Sequence, residues 1–278
     1  MAETARISLP EAAERLGVHY MTVYRYVRTG QLPAVRVGAK WSVNVADLGL
    51  THRTVDVRSE RSHNQSQRAA RLLDRMTAGD GAGAWTIVDG ALASGSDPKD
   101  IYINLLAPVL TLIGDGWSRN EISIAQEHRA SVVATQIVGR LGPRFARRGR
   151  SRGAVVLGLV PSEQHALPAL MLADLIRLAG FEPLNLGANT PAHSFVETAL
   201  GADRLVAILV GATNYLPDDT VSGLISEMRN DGVTSPILLG GRAITSKDHA
   251  IRLGASGWTG QDAASALEAL ENLVARVH

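Results

Sequence analysis

The 278-residue chain contains no cysteine, which removes disulfide staples, thiolate zinc sites, iron–sulfur clusters and a cysteine nucleophile together. Lysine is nearly missing too, found only at Lys40, Lys99 and Lys247. Net charge is close to zero at +1, so the chain is no globally basic nucleic-acid binder, and any DNA contact must come from a local patch. No apolar run approaches the roughly 20 residues of a membrane helix, and the N-terminus lacks the apolar core of a signal peptide. A cytoplasmic protein with no membrane partner is the expectation. What is present is 45% apolar residues over a length suited to roughly two domains with a full core.

Two stretches poor in core-forming residues divide the chain into three regions. Thr51 to Gln67 carries Arg53, Arg58 and Arg61 among serines and reads as a linker or an exposed helix start. Arg140 to Gly153 holds Arg140, Arg144, Arg147, Arg148, Arg150 and Arg152 with no acid between them, and reads as a solvated connector, with a DNA or partner contact as the alternative. Between these breaks the period is helical: Ala69, Leu72, Leu73 and Met76, then Trp85, Val88 and Leu92, then Ile103, Leu106, Val109, Leu110 and Ile113, then Ile122 to Val138. Short connections make these an antiparallel four-helix bundle over 67–142. After Gly153, valine-rich runs at Ala154–Val160, Arg204–Val210 and Pro236–Leu239 alternate with helical stretches, which predicts a parallel sheet covered on both faces over 153–278. Ligands of such sheets sit beyond the carboxyl ends of the strands.

The first fifty residues form a third region. Ser8, Pro10 and Glu11 have capping-box spacing and open a helix that stops at Gly17. A second helix runs from about His19 to Arg28, with Ala12, Ala13, Leu16, Val23 and Val27 able to pack together and Tyr20, Thr22, Tyr24 and Arg25 facing outward. Residues Leu32 to Val43 read as a two-stranded wing. Helix, glycine turn and helix is the arrangement that lays its second helix in the DNA major groove. Residues 6 to 48 resemble the excisionase and MerR-type winged helix-turn-helix domains. That resemblance implies base reading by Tyr20, Thr22 and Arg25 and phosphate contacts by Arg28, Arg36 and Lys40. The wing departs from the family's paired arginines, with Ala39-Lys40-Trp41 in their place. A lone copy so mildly basic binds DNA weakly, so specific binding calls for a homo-oligomer, dimer or tetramer. The long MerR dimerisation helix is not visible, which leaves assembly to the rest of the chain.

Beyond the first valine-rich strand stands Val160-Pro161-Ser162-Glu163-Gln164-His165. A histidine at a strand's carboxyl end, two residues after a carboxylate, has what a metal ligand needs: one nitrogen for the metal and an acceptor in reach of the other. The segment resembles the cobalamin-binding Rossmann-like family, whose motif is Asp or Glu, any residue, His, two residues, Gly. The resemblance implies that His165 is the lower axial cobalt ligand with Glu163 beside it, and that Gly240-Gly241 admits the nucleotide tail of the corrinoid. Pro168 stands where that motif has glycine, and Gly211-Ala212-Thr213 replaces the usual Ser-x-Leu element, leaving the tail pocket lined by Thr213 or by backbone.

Trp117 is followed ten positions later by Glu127 and His128, the pattern of the helical cap in CarH-like photoreceptors. By that resemblance Trp117 and Glu127 contact the 5′-deoxyadenosyl group of adenosylcobalamin, and His128 takes the axial position once light has removed it. The expected architecture is multidomain α and α/β: a winged helix-turn-helix at 1–50, a four-helix-bundle cap at 67–142 and a Rossmann-like cobalamin domain at 153–278. The expected role is that of a light-responsive repressor active in darkness, not an enzyme. A corrinoid carrier in methyl transfer, and a regulator sensing another ligand such as a different tetrapyrrole, stand beside it. A mutase is opposed by length, for no (β/α)₈ barrel fits.

Overall fold

The computed structural model describes residues 6–18, 20–28, 32–37 and 40–275; the side chains at 22, 25, 28, 37, 40 and 49–63 are outside the description. The chain divides into two units, Met1–Arg68 and Ala69–His278.

In the first unit, β1 (Arg6–Ser8), α1 (Leu9–Leu16), α2 (Tyr20–Arg28), β2 (Ala34–Val37) and β3 (Lys40–Asn44) surround a small core. Ser8 and Glu11 close a reciprocal capping box on α1, and Gly17 ends it in the left-handed conformation. Ile7, Leu9, Ala12, Ala13, Val23, Tyr26, Leu32, Val43 and Leu48 form the core. The expected two-stranded wing is present as the antiparallel β2–β3 hairpin, and β1 adds a third strand on the far side of β3, so the sheet order is β1-β3-β2. That strand comes from distant chain, where buried Ile7 faces Val43. Tyr24 packs half-buried against this core rather than facing outward.

The stretch from Thr51 to Gln67 is no linker, because α3 runs unbroken as Leu48–Ala78. In the second unit its end joins α4 (Gly81–Ala93), α5 (Pro98–Ile101), a π turn at Tyr102–Leu106, α6 (Ala107–Ser118) and α7 (Ile124–Leu141). The wide turn falls just before Pro108, which has no N–H for the regular ladder and whose ring crowds the carbonyl a turn earlier. Asp97 caps α5 through the Lys99 N–H, and Ser123 with Gln126 forms a capping box on α7. Pro98–Ser118 is long and apolar enough by length and composition to cross a membrane, counter to the expectation. Its apolar residues are spent on the bundle, where Ile101, Tyr102, Leu105, Leu106, Val109 and Ile113 are buried.

A 3-10 turn (Gly142–Phe145) leads to the α/β part: β4 (Ala154–Leu159), α8 (Ala166–Leu178), β5 (Glu182–Gly187), α9 (Ala192–Gly201), β6 (Leu205–Gly211), α10 (Asp218–Asn230), β7 (Ile237–Gly240), α11 (Lys247–Arg252), β8 (Gly257–Trp258) and α12 (Ala263–Ala275). All five strands are parallel in the order β5-β4-β6-β7-β8. The strand order reverses between β4 and β6, and the crevice at that switch point is where doubly wound sheets hold their ligands. The bundle core continues into this part through Met171 and Leu175 of α8. Phe145 is fully buried and stacks on Tyr102 at 4.7 Å, so the connector after α7 is pinned rather than loose.

Candidate cobalamin site

The loop from Val160 to His165 crosses the switch point, and Glu163 is its keystone. Its side chain is fully buried and accepts four hydrogen bonds. Oε1 takes the His165 backbone N–H at 3.0 Å and the imidazole Nδ1 at 2.6 Å. Oε2 takes the N–H groups of Thr213 and Asn214, just beyond β6, each at 2.8 Å. Burial pushes this carboxyl up, but the bonds from the His165 ring and from the backbone of Asn214, His165 and Thr213 outweigh it and hold it at about 2. The hydrogen bond to Glu163 in turn pushes the His165 imidazole up, against its partial burial, and the charges of Glu163 and Glu127 add to the effect.

An ionised carboxylate only accepts, so Nδ1 of His165 is the donor and Nε2 is left toward solvent, with the side chain 46% exposed. This is the arrangement that presents one imidazole nitrogen to a metal with fixed tautomer and orientation. A second clamp holds the loop from the β5 side: Asn189 Oδ1 accepts the Ser162 N–H at 2.8 Å, and the Asn189 N–H donates to the Glu163 carbonyl at 2.8 Å. Both Ser162 and Asn189 lie in the left-handed region, at φ 70° and 51°. Asn189 was not singled out from the sequence. The signal was an asparagine, among the non-glycine residues most tolerant of that conformation, two positions after the end of β5.

A cavity of about 100 Å³ opens between the ends of β4, β6 and β7 and the helices α8 and α12. Gly211, Thr213, Gly240 and Gly241 line it together with Pro168, so both departures from the family motif face one space. Gly241 has φ +95°, and a Cβ there would stand 2.3 Å from the Ala212 carbonyl, so only backbone fits between these loops. Gln261, Asp262 and Ala263, which sequence reasoning did not single out, also line the cavity.

On the bundle side, Trp117 at the end of α6 is 48% exposed, unusual for tryptophan. On α7, Glu127 Oε2 meets His128 Nδ1 at 2.7 Å and Oε1 accepts the Ser131 hydroxyl at 2.7 Å. Burial raises the Glu127 carboxyl, and the bonds from His128 and Ser131 outweigh that and lower it; the charge of His165 contributes too. The charges of Glu127 on α7 and His165 in the loop after β4 thus act weakly on one another. Arg242, right after Gly241, reaches Asp115 of α6 at 3.2 Å. Among the described residues no three His, Cys, Asp or Glu side chains gather as a metal cage. One imidazole with a nitrogen to spare, and no cage of protein ligands among the described residues, would suit a metal that brings its own equatorial ring.

Of the expected DNA-contacting residues, Tyr20 and Arg36 are exposed, and Tyr20 stacks on Tyr24 at 6.4 Å. The side chains of Thr22, Arg25, Arg28 and Lys40 lie outside the described residues.

Fold and site define a cobalamin-binding protein with an N-terminal helix-turn-helix domain. Residues 68–141 match the B12 binding domain family and residues 7–48 the helix-turn-helix domain family. The trimethylamine corrinoid protein of Methanosarcina barkeri is 23% identical over 220 residues, which cover 76% of this chain and 99% of that one. The HTH-type transcriptional repressor CarH of Myxococcus xanthus is 31% identical over 115 residues, covering 41% of this chain and 37% of that protein. The solved structure of the Methanosarcina barkeri monomethylamine corrinoid protein shares the fold, with a TM-score of 0.65 at 19% identity over 74% of this chain and 99% of that one.

Proposed function

We propose that the chain is a light-responsive transcriptional regulator that binds adenosylcobalamin and represses in darkness. The observation that carries this reading is the pairing of a helix-turn-helix domain with a bundle that holds an exposed Trp117 at the end of α6 and a Glu127–His128 pair on α7, the Glu127 charge acting on His165. When bound, adenosylcobalamin supplies a cobalt–carbon bond that visible light breaks, and that chemistry belongs to the cofactor. The protein's part is to hold and to sense. His165 Nε2 would hold the cobalt, with Glu163 fixing its tautomer, and Thr213, Gly240 and Gly241 would border the slot for the nucleotide tail. Trp117 and Glu127 would contact the adenosyl group, and Ser131 holds Glu127 in place. His128, with Nδ1 on Glu127, would have Nε2 available to the metal. The bundle and the α/β part would be the elements free to shift against one another when the cofactor changes, and a shift at an oligomer interface would change how many DNA-binding domains act together.

A corrinoid carrier for methyl transfer is the second reading, favoured by the match along 99% of the trimethylamine corrinoid protein. A carrier has no use for a helix-turn-helix domain. The deciding experiment is purification with adenosylcobalamin in darkness, followed by absorption spectra, size-exclusion chromatography and DNA binding before and after green light. Regulation by light requires that mass or DNA affinity change with illumination. Bound corrinoid with both unchanged leaves the carrier.

A further inference from the structure

Between Arg140 and Gly153 the chain carries six arginines and no acid, and the structure shows what each one does. The Arg140 guanidinium lies 5.1 Å over the Trp85 ring. Arg147 donates to the Leu178 carbonyl at 3.3 Å. Arg152 pairs with both carboxylate oxygens of Glu271, at 2.7 and 2.8 Å, and stacks on Phe181. Arg144, Arg148 and Arg150 are exposed and meet no hydrogen-bond or ion-pair partner among the described residues. The segment holding them is anchored at both ends, by buried Phe145 and by the Arg152 N–H on the Gly180 carbonyl at 2.9 Å.

This connector enters β4 at its first residue, so it lies at the amino ends of the strands, opposite the cobalamin loop. Arg204 joins it there by donating to the Ser151 carbonyl. The acids at the amino ends of the strands include Glu182, Asp203 and Asp231, and Glu271 is already taken by Arg152. The connector itself is thus a local basic stretch on a chain whose overall charge is +1. Along the connector the remaining exposed side chains are Pro143 and Ala146, with no aromatic or aliphatic anchor among them. Protein interfaces depend on such anchors, whereas contact with a phosphate backbone needs only charge and reach.

We propose that Arg144, Arg148 and Arg150, supported by Arg147, form a second DNA-contacting surface that grips duplex phosphates without reading sequence. The proposal rests on the DNA-binding reading above and assigns it a contact outside the helix-turn-helix domain. It accounts for how a mildly basic recognition domain obtains a useful grip on DNA: sequence preference comes from the first unit and part of the electrostatic affinity from the second.

The test uses the full cobalamin-loaded chain and a short mixed-sequence duplex, followed by fluorescence anisotropy over a series of salt concentrations. Three proteins are compared: wild type, Arg25→Ala, and the triple variant Arg144→Gln, Arg148→Gln, Arg150→Gln. Each phosphate contact contributes roughly 0.9 to the slope of log affinity against log salt. The triple variant should lose about 2 to 3 from that slope and bind the duplex at least several-fold more weakly at low salt, with its corrinoid spectrum unchanged. Arg25→Ala should keep most of the slope. A triple variant with wild-type slope overturns the proposal while leaving DNA binding intact, and one that alters oligomer mass alone points to a protein contact and overturns it as well. Wild type that binds no duplex at low salt ends both this proposal and the regulator reading.

Discussion

Glu163 carries four hydrogen bonds on two oxygens while fully buried, and that concentration of donors makes its charge worth keeping. Replacing it by glutamine leaves a side-chain NH₂ facing at least one N–H, with a buried donor unsatisfied, and should cost about 2 kcal/mol or more of stability. Thermal unfolding of apo Glu163→Gln checks this, and an unchanged midpoint would contradict it. The pH dependence has two parts. The carboxyl stands at about 2 against an ordinary 4.5, so the stability from its ionised form is complete above 4.5 and drains away as pH falls toward 2. The His165 ring is raised above its ordinary 6.5, so its charged pairing with Glu163 stabilises fully below 6.5 and is lost as pH rises through the higher value. Metal coordination runs the other way, because Nε2 must shed a proton before it can donate to cobalt. Cobalamin affinity should therefore be level at high pH and fall about tenfold per unit below a break lying above 6.5, and Glu163→Gln should move that break to lower pH. A flat affinity profile would remove His165 from the metal.

At the scale of elements, a buried polar contact joins bundle to α8 beside the shared apolar core. The Tyr102 hydroxyl donates to Asp174 Oδ2 at 2.7 Å, and Arg177 holds Oδ1. Burial and the Asp174 charge push the tyrosine hydroxyl far up, so it stays a donor at any working pH. Tyr102→Phe should destabilise the second unit by about 1 to 2 kcal/mol, read by chemical denaturation, because Asp174 loses one partner in a dry setting. No loss would mean that water replaces the hydroxyl. Nothing in the sequence pointed to this pair, since the two residues stand 72 positions apart and neither belongs to a periodic motif. What was legible had local causes: the capping box at Ser8, the valine-rich strands, and the Glu163–His165 spacing on a strand's carboxyl end. What was not legible depended on distant partners. The third strand of the wing sheet arises from pairing across 35 residues of chain, β8 has only two residues, and the stretch from Thr51 to Gln67 is helical despite having no apolar period of its own to show it. The clamp by Asn189 likewise needed the strand order before its meaning could be read.

The whole molecule has cores of two kinds that share no residue: one in the first unit, and in the second unit a bundle core that reaches into α8 beside two sheet-flanking cores. Separate cores unfold separately unless an interface ties them, so calorimetry of the cobalamin-free chain should resolve two transitions. A ligand that binds only the folded second unit stabilises that unit by about 2.7 kcal/mol at 100 times its Kd. For a unit of this size the shift is roughly 5–10 °C, and it should fall on one transition alone. Operator DNA should move the other. His165→Ala should abolish the first shift or reduce it sharply and leave the second as it was, because the imidazole and the recognition helix lie in different units. If cobalamin instead raised both transitions together in darkness and green light separated them again, the units would be tied through assembly, and the ordering of DNA-binding domains by the corrinoid would be seen directly in the heat capacity. A single transition that ignores cobalamin would count against the site itself.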